Sequence, residues 1–280
     1  LTQTGPAAAG FWRLAFALPM LALLTNNERR KTRRTTSPLS WASRKVLIFA
    51  GVMFAADLLC WHYSLHLTSV ANSTVLANMT PVVITLAGWL LFKERPARLF
   101  LVGLALALGG TAAMALAHHG GAQGSDPPLG DVLAIVTACW YGAYFMAVRQ
   151  ARKTASTFTV MLWSSAVGTP MMLAAAYLLH EPILPAAAMG WIACIGLGVV
   201  HVTGQGAIAW ALGKLPAALT AIVVLVQPIV VGALGWLVLG ESVSWLQGLG
   251  AAIALAGICV AQWSSRAPPV PAAADGAQLA

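Results

Sequence analysis

Long apolar runs separated by short polar punctuation set the pattern of this chain. They extend approximately from Gly10 to Thr25, Lys45 to Leu67, Ser69 to Phe92, Leu99 to His119, Leu129 to Arg149, Thr157 to Leu179, Ala187 to Leu212, Pro216 to Leu239 and Ser244 to Trp263. Roughly 20 apolar residues in helical form span a hydrocarbon core about 30 Å thick, so each run predicts one transmembrane helix. The connections are short, which predicts one all-α polytopic bundle.

Composition strengthens this reading. Hydrophobic residues make up 59% of the 280 positions and charged residues 9%, against roughly 25% charged in a soluble domain. Such a chain has too little polar surface to face water. In lipid it closes its backbone hydrogen bonds within helices. Cys60, Cys139, Cys194 and Cys259 each fall inside an apolar run, without CxxC spacing; they are expected to pack as small apolar residues. With no His/Cys cluster at zinc-ligand spacing, neither a metal site nor a cofactor is expected. The chain opens Leu1-Thr2-Gln3 with no visible signal peptide, and the Pro/Ala-rich tail at 266–280 is expected to be disordered.

The net charge of +8 does not mark a nucleic-acid binder, because of where it lies. Arg29, Arg30, Lys31, Arg33, Arg34, Arg44 and Lys45 share one loop, Lys93, Arg95 and Arg98 another, and Arg149, Arg152 and Lys153 a third. With Lys214 and Arg266, 15 of the 16 basic residues fall on one face if crossings alternate, and only Arg13 lies near the other. That bias makes the basic loops and the C-terminus cytoplasmic in a multi-pass bacterial inner-membrane protein.

The chain also repeats itself. Shifted by 147 positions, Tyr63 to Gly110 aligns without a gap on Trp210 to Gly257: Pro81 meets Pro228, Gly88-Trp89-Leu90 meets Gly235-Trp236-Leu237, Glu94 meets Glu241, and Gly103 and Gly110 meet Gly250 and Gly257. A shift of 151 pairs Trp12 with Trp163, Pro19 with Pro170 and Met20 with Met171. The fifth run, Leu129 to Arg149, maps before Leu1. The expected architecture is therefore a ten-helix bundle of two inverted five-helix repeats, with the first helix absent from this sequence. Residues 1–119 would hold helices 2–5, 120–128 an external linker, and 129–265 helices 6–10. Inverted repeats place a binding site near the midplane.

The run Leu65-His66-Leu67-Thr68-Ser69-Val70-Ala71-Asn72-Ser73-Thr74, followed by Pro81 and Phe92-Lys93-Glu94-Arg95-Pro96, resembles the EamA-type branch of the drug/metabolite transporter superfamily. Its second copy does too, through Gln227-Pro228, Leu239-Gly240-Glu241 and Gly248 to Gly257. The resemblance implies an exporter of amino acids or related metabolites, similar to aromatic amino acid exporters. Some relatives move nucleotide sugars or triose phosphates.

Several polar residues interrupt the runs. Asp57 stands twelve positions beyond Lys45, where a carboxylate costs on the order of 2.5–3.5 kcal/mol and so faces the interior or water, as a ligand or as a helix bridge. At helical spacing it shares a face with Trp61 and Ser64. His62 and His201 lie in equivalent segments and are candidates for proton passage or for helix bridging. Asn78 precedes Pro81 by three, and Gln227 directly precedes Pro228; a proline inside a crossing frees a carbonyl and makes a kink, so Pro81, Pro228 and Gln227 are candidate hinge positions. Trp140, Tyr141, Tyr144 and Trp163 place rings inside crossings, with Trp140 and Tyr144 on one face. Gln205, between Gly204 and Gly206, offers an amide where backbones are expected to approach closely. Glu94 and Glu241 end their crossings as helix-end or gate residues.

The substrate-binding set expected from sequence is Asp57, Trp61, His62, Asn78, Trp140, Tyr144, Trp163, His201 and Gln205, around a central cavity working by alternating access. The partners are then a small-molecule substrate and the bilayer. A proton-coupled exporter of lipophilic cations at Asp57 is the alternative. An intramembrane enzyme would need a nucleophile with a base, a metal set or paired carboxylates, and the runs carry none.

Overall fold

The computed structural model describes residues 4–32, 39–93, 95–116, 125–239 and 244–264. Part of the expected linker, the 266–280 tail, Glu94 and Glu241 lie outside the described residues. Within them the nine apolar runs form nine helical segments, three of which are interrupted. Helix α1 spans Pro6–Thr32, α2 Trp41–Leu67, α5 Arg98–Leu116, α6 Pro127–Ala151, α7 Thr157–Leu178 and α12 Trp245–Ser264. The third crossing is split into α3 (Val70–Ala77) and α4 (Thr80–Phe92), and the eighth into α10 (Ala217–Val224) and α11 (Gln227–Leu239). In the seventh, α8 (Ala188–Val200) passes through a π-helical turn, His201–Gln205, into α9 (Gly206–Leu212). Among the described residues seven helical stretches are long and apolar enough to cross a membrane, and 98–113 and 217–230 are shorter apolar helices.

Local chemistry fixes where the helices start. Ser40, Asp126 and Ser156 cap α2, α6 and α7 by accepting from the N–H groups of Ser43, Leu129 and Thr159 at 3.2, 3.3 and 3.3 Å. Pro127 and Pro128 follow Asp126 in the first turn, where a missing N–H costs nothing. Helix α1 overruns the apolar run at both ends. Pro6 and three alanines extend it upstream, and downstream it ends on Arg29, Arg30 and Lys31, whose charge suits a helix C-terminus.

The break in the third crossing follows from Pro81, which lacks the N–H that would bond Ala77. The freed Ala77 carbonyl accepts from Thr80 Oγ1 at 2.9 Å. The eighth crossing breaks at the equivalent place, before Pro228.

Helices equivalent under the repeat pack on each other, α1 with α7 and α5 with α12. A Cβ added at Gly103 would fall within 3.0 Å of Gly257 and Ala261 backbone, and one at Gly110 within 3.0 Å of Gly250 and Ala254 backbone. As α5 advances, α12 recedes, so the pair runs antiparallel, backbone on backbone along a small-residue seam. Packing of small residues is the main adhesive here, since lipid leaves little hydrophobic drive between helices.

Charge is segregated between the ends of the bundle. Ser43 Oγ meets Thr154 Oγ1 at 3.3 Å, joining two of the basic loops. At the other end Asp131 accepts from Thr68 Oγ1 at 2.7 Å. There Glu181 accepts from Ala7 and Ala8 N–H at 3.2 and 2.9 Å, and from the Tyr63 hydroxyl.

Candidate substrate cavity

The three interruptions converge. A cavity of about 210 Å³ is lined by Asn78, Thr80 and Pro81 at the α3/α4 break, by Val224, Leu225 and Gln227 at the α10/α11 break, and by Gln205 at the π turn. Arg13 of α1, Asp57, Leu58 and Trp61 of α2, and Thr137 and Tyr141 of α6 complete the wall, with Ala77 and Ala221. Non-helical backbone at membrane depth is tolerated where it lines such a cavity. The lining is itself two-fold. Under the 147-residue shift Leu58 pairs with Gln205, Ala77 with Val224, Asn78 with Leu225 and Thr80 with Gln227, and both members of each pair touch the cavity. Phe54 and its equivalent His201, outside the lining, meet as a tilted ring pair with centroids 5.3 Å apart. The cavity therefore sits where the two halves face each other.

Its wall carries a guanidinium, a carboxyl group and unpaired polar atoms. Arg13 and Asp57 line the same space, with the Arg13 guanidinium carbon 6.0 Å from the centre of the Phe54 ring. Arg13 Nε, Asn78 Nδ2, Thr137 Oγ1 and Gln205 Oε1 are buried without hydrogen-bond partners, while Gln205 Nε2 donates to the Tyr141 hydroxyl at 3.3 Å. A buried polar group left unpaired costs about 1–3 kcal/mol. All four belong to residues that line the cavity, and hydrogen-bonding groups without protein partners favour a polar ligand.

Of the residues expected from sequence, Asp57, Trp61, Asn78, Gln205, Pro81 and Gln227 come together here. The others lie elsewhere. His62 donates from Nδ1 to the Pro6 carbonyl at 3.0 Å, tying α2 to the start of α1. His201 is buried against Ser165 Oγ at 3.1 Å. Tyr144 is buried beside Phe54, with its hydroxyl toward Met161 sulfur. Trp163 packs on the main core, Trp140 is half-buried outside the lining, and Pro228 lies one position beyond Gln227. Ser64 does not share the cavity with Asp57; its Oγ lies within hydrogen-bonding distance of Ser73 Oγ and the Gly130 carbonyl oxygen, 2.8 and 2.9 Å away. The expected close approach at Gly204 and Gly206 is also corrected, since an added Cβ at either meets nothing within 4 Å.

Arg13, Thr80, Thr137 and Tyr141 are polar lining residues outside the set expected from sequence, beside the apolar Leu58, Ala77, Ala221, Val224 and Leu225. A run beginning at Gly10 puts Arg13 near a membrane face. With α1 beginning at Pro6, it stands about 10 Å inside the helix. On α6 the cavity meets the face of Thr137 and Tyr141, one residue and about 100° away from that of Trp140 and Tyr144.

The EamA-like transporter family model matches residues 1–116 and again 128–262. The chain belongs to the EamA-like transporter family. The EamA domain is thus duplicated in two halves of an all-α membrane protein, a transporter and not an enzyme. The pseudopaline exporter CntI of Pseudomonas aeruginosa is 24% identical over 242 residues, 86% of this chain and 80% of that protein. An uncharacterized transporter of Archaeoglobus fulgidus is 27% identical over 196 residues, 69% of this chain and 67% of its own length. A solved crystal structure, 18% identical, superposes with a TM-score of 0.75 over 93% of this chain and 89% of that one. That likeness bears on the EamA fold alone.

Proposed function

We propose that this EamA-family protein exports amino acids or closely related zwitterionic metabolites across the cytoplasmic membrane, by alternating access through the cavity at the helix breaks. One observation carries the reading: Arg13 and Asp57 line one cavity from two different helices. An α-amino acid carries a carboxylate and an ammonium a few ångströms apart, and a cavity with a guanidinium and a carboxylate complements both. Asn78, Thr137 and Gln205 supply hydrogen-bonding groups, and Trp61 and Tyr141 an aromatic wall for the side chain. The volume, about 210 Å³, suits a small metabolite; drug-sized ligands occupy roughly 300–1,000 Å³.

The broken crossings support alternating access. Each half presents short helices whose ends meet at the cavity, so one half can rock against the other around a fixed site. In this reading the basic loops are cytoplasmic and substrate loads from that side. The alternative, export of lipophilic cations through Asp57, is disfavoured by Arg13, which brings a positive charge to the same wall.

Uptake of radiolabelled amino acids into proteoliposomes, with unlabelled competitors and an imposed pH gradient, tests the proposal. Saturable, stereoselective uptake is expected. Absence of amino-acid uptake together with Asp57-dependent efflux of lipophilic cations contradicts it.

A further inference from the structure

A second cavity, of about 760 Å³, lies farther along three of the helices that wall the first. The same three elements wall both. Helix α4 gives Thr80 and Pro81 to the first and Ile84, Thr85 and Gly88 to the second; α6 gives Thr137 and Tyr141 to the first and Met146, Arg149 and Gln150 to the second. Helix α10 gives Ala221 and Val224 to the first, Ala217 and Ala218 to the second. Between them α4 and α6 close in at Gly142, where an added Cβ would stand 3.1 Å from Val83 Cγ1 and 3.5 Å from Ile84 Cγ1.

The second cavity is basic. Arg95 reaches it from the segment between α4 and α5, Arg149 and Lys153 from the end of α6 and the turn beyond, and among the described residues no carboxylate lines it. Ala217 and Ala218 open α10 on the same wall, and first-turn N–H groups have no intrahelical acceptor. Membrane topology accounts for basic residues at this end of the bundle. It does not account for three of them, from two separate segments, gathering around one cavity above the neck. A cavity with charge of one sign concentrates solutes of the opposite sign.

We propose that this basic vestibule is a distinct binding site for carboxylate-bearing solutes, which holds substrate by its carboxylate before it passes the Gly142 neck to Arg13 and Asp57. The inference deepens the transport reading and rests on it for the second step only. It specifies the substrate class as carboxylate-bearing and puts capture and translocation on different residues.

The test is equilibrium binding of citrate, a multivalent carboxylate probe, to the protein in nanodiscs of neutral phosphatidylcholine, at low and high salt. The variants are the triple substitution Arg95→Gln, Arg149→Gln, Lys153→Gln and, separately, Arg13→Gln. The three changed side chains are exposed, so the fold is expected to persist, and a thermal melt of each variant checks this. Wild type should bind citrate with an affinity that falls about tenfold in the triple variant, three exposed charge contacts each contributing a few-fold. The same loss should follow from raised salt, whereas Arg13→Gln should keep the salt-sensitive binding that the triple variant loses. Equal binding by wild type and the triple variant overturns the proposal, as does loss of binding in Arg13→Gln, which would place the anion in the central cavity. A parallel set of nanodiscs containing phosphatidylglycerol separates solute from lipid. No citrate binding in neutral nanodiscs, together with phosphatidylglycerol stabilisation that needs the three basic residues, assigns the site to a lipid headgroup and overturns solute capture. Amino-acid transport that depends on Arg13 and is indifferent to the triple variant and to salt sinks the vestibule alone. Triple-dependent citrate binding without any amino-acid transport sinks the transport reading and leaves the anion site standing.

Discussion

Arg13 and Asp57 are costly where they stand. A charged side chain at membrane depth costs on the order of 2.5–3.5 kcal/mol on insertion scales, and such residues persist where they face an interior cavity or a partner. Each is expected to bond one end of a zwitterion. Arg13→Gln removes a charge-assisted contact worth about 1.5–3 kcal/mol, so the half-saturation concentration for an amino acid should rise about ten- to a hundredfold in counterflow assays. Thr137 makes a subtler prediction. Its hydroxyl is buried and unpaired, so Thr137→Val should leave the melting temperature of the ligand-free protein unchanged or raised, while substrate affinity falls about two- to tenfold with the lost hydrogen bond. A lowered melting temperature would show that the hydroxyl serves the fold. At this scale the sequence was legible where a polar residue interrupts a long apolar run, as Asp57, Asn78 and Gln205 do. It was not legible for Arg13, whose surroundings depend on where α1 begins. Nor did it separate Tyr141 from Tyr144, because rotation of a helix whose residues are apolar on most sides leaves little trace in the pattern.

Helix breaks and small-residue seams act at the scale of elements. Pro81 and Pro228, one per repeat, were visible as proline inside a crossing, and the structure ends α3 and α10 shortly before them. The π turn at 201–205 had no such signal, since His201-Val202-Thr203-Gly204-Gln205 contains no proline and continues as helix on both sides. Its register shift turns Gln205 to the cavity. Pro81→Ala restores the missing N–H to the third crossing and is expected to give a folded protein with reduced turnover, measured as exchange rate at saturating substrate; an unchanged rate would deny the break a part in the motion. The seam predicts a contrast. Gly257→Val drives a side chain into the backbone of Gly103 and Ala107 and should destabilise by at least about 1–3 kcal/mol, read as a lower denaturation midpoint in detergent. Gly109→Ala, with nothing within 4 Å of the added carbon, should be neutral or slightly stabilising. Both glycines sit in similar sequence surroundings, and only the packing of α5 on α12 tells them apart.

For the whole molecule, the duplication places the break of one half against the break of the other, and the cavity forms where they meet. The repeat itself was readable by sliding the chain along its own length, because proline, tryptophan and glycine stay in step over an ungapped stretch. What stayed hidden was the convergence of residues far apart in the chain, Arg13, Asp57, Thr137, Gln205 and Gln227, which no local pattern records. The zwitterion account is tested most directly by one measurement, competition for uptake of a radiolabelled amino acid by two sets of analogues, one lacking the carboxylate and one lacking the ammonium, in wild type and Arg13→Gln. The account predicts that wild type needs both groups, and that Arg13→Gln no longer distinguishes the amino acid from its carboxylate-free analogue while still rejecting the ammonium-free one. Equal discrimination by the two proteins would contradict it.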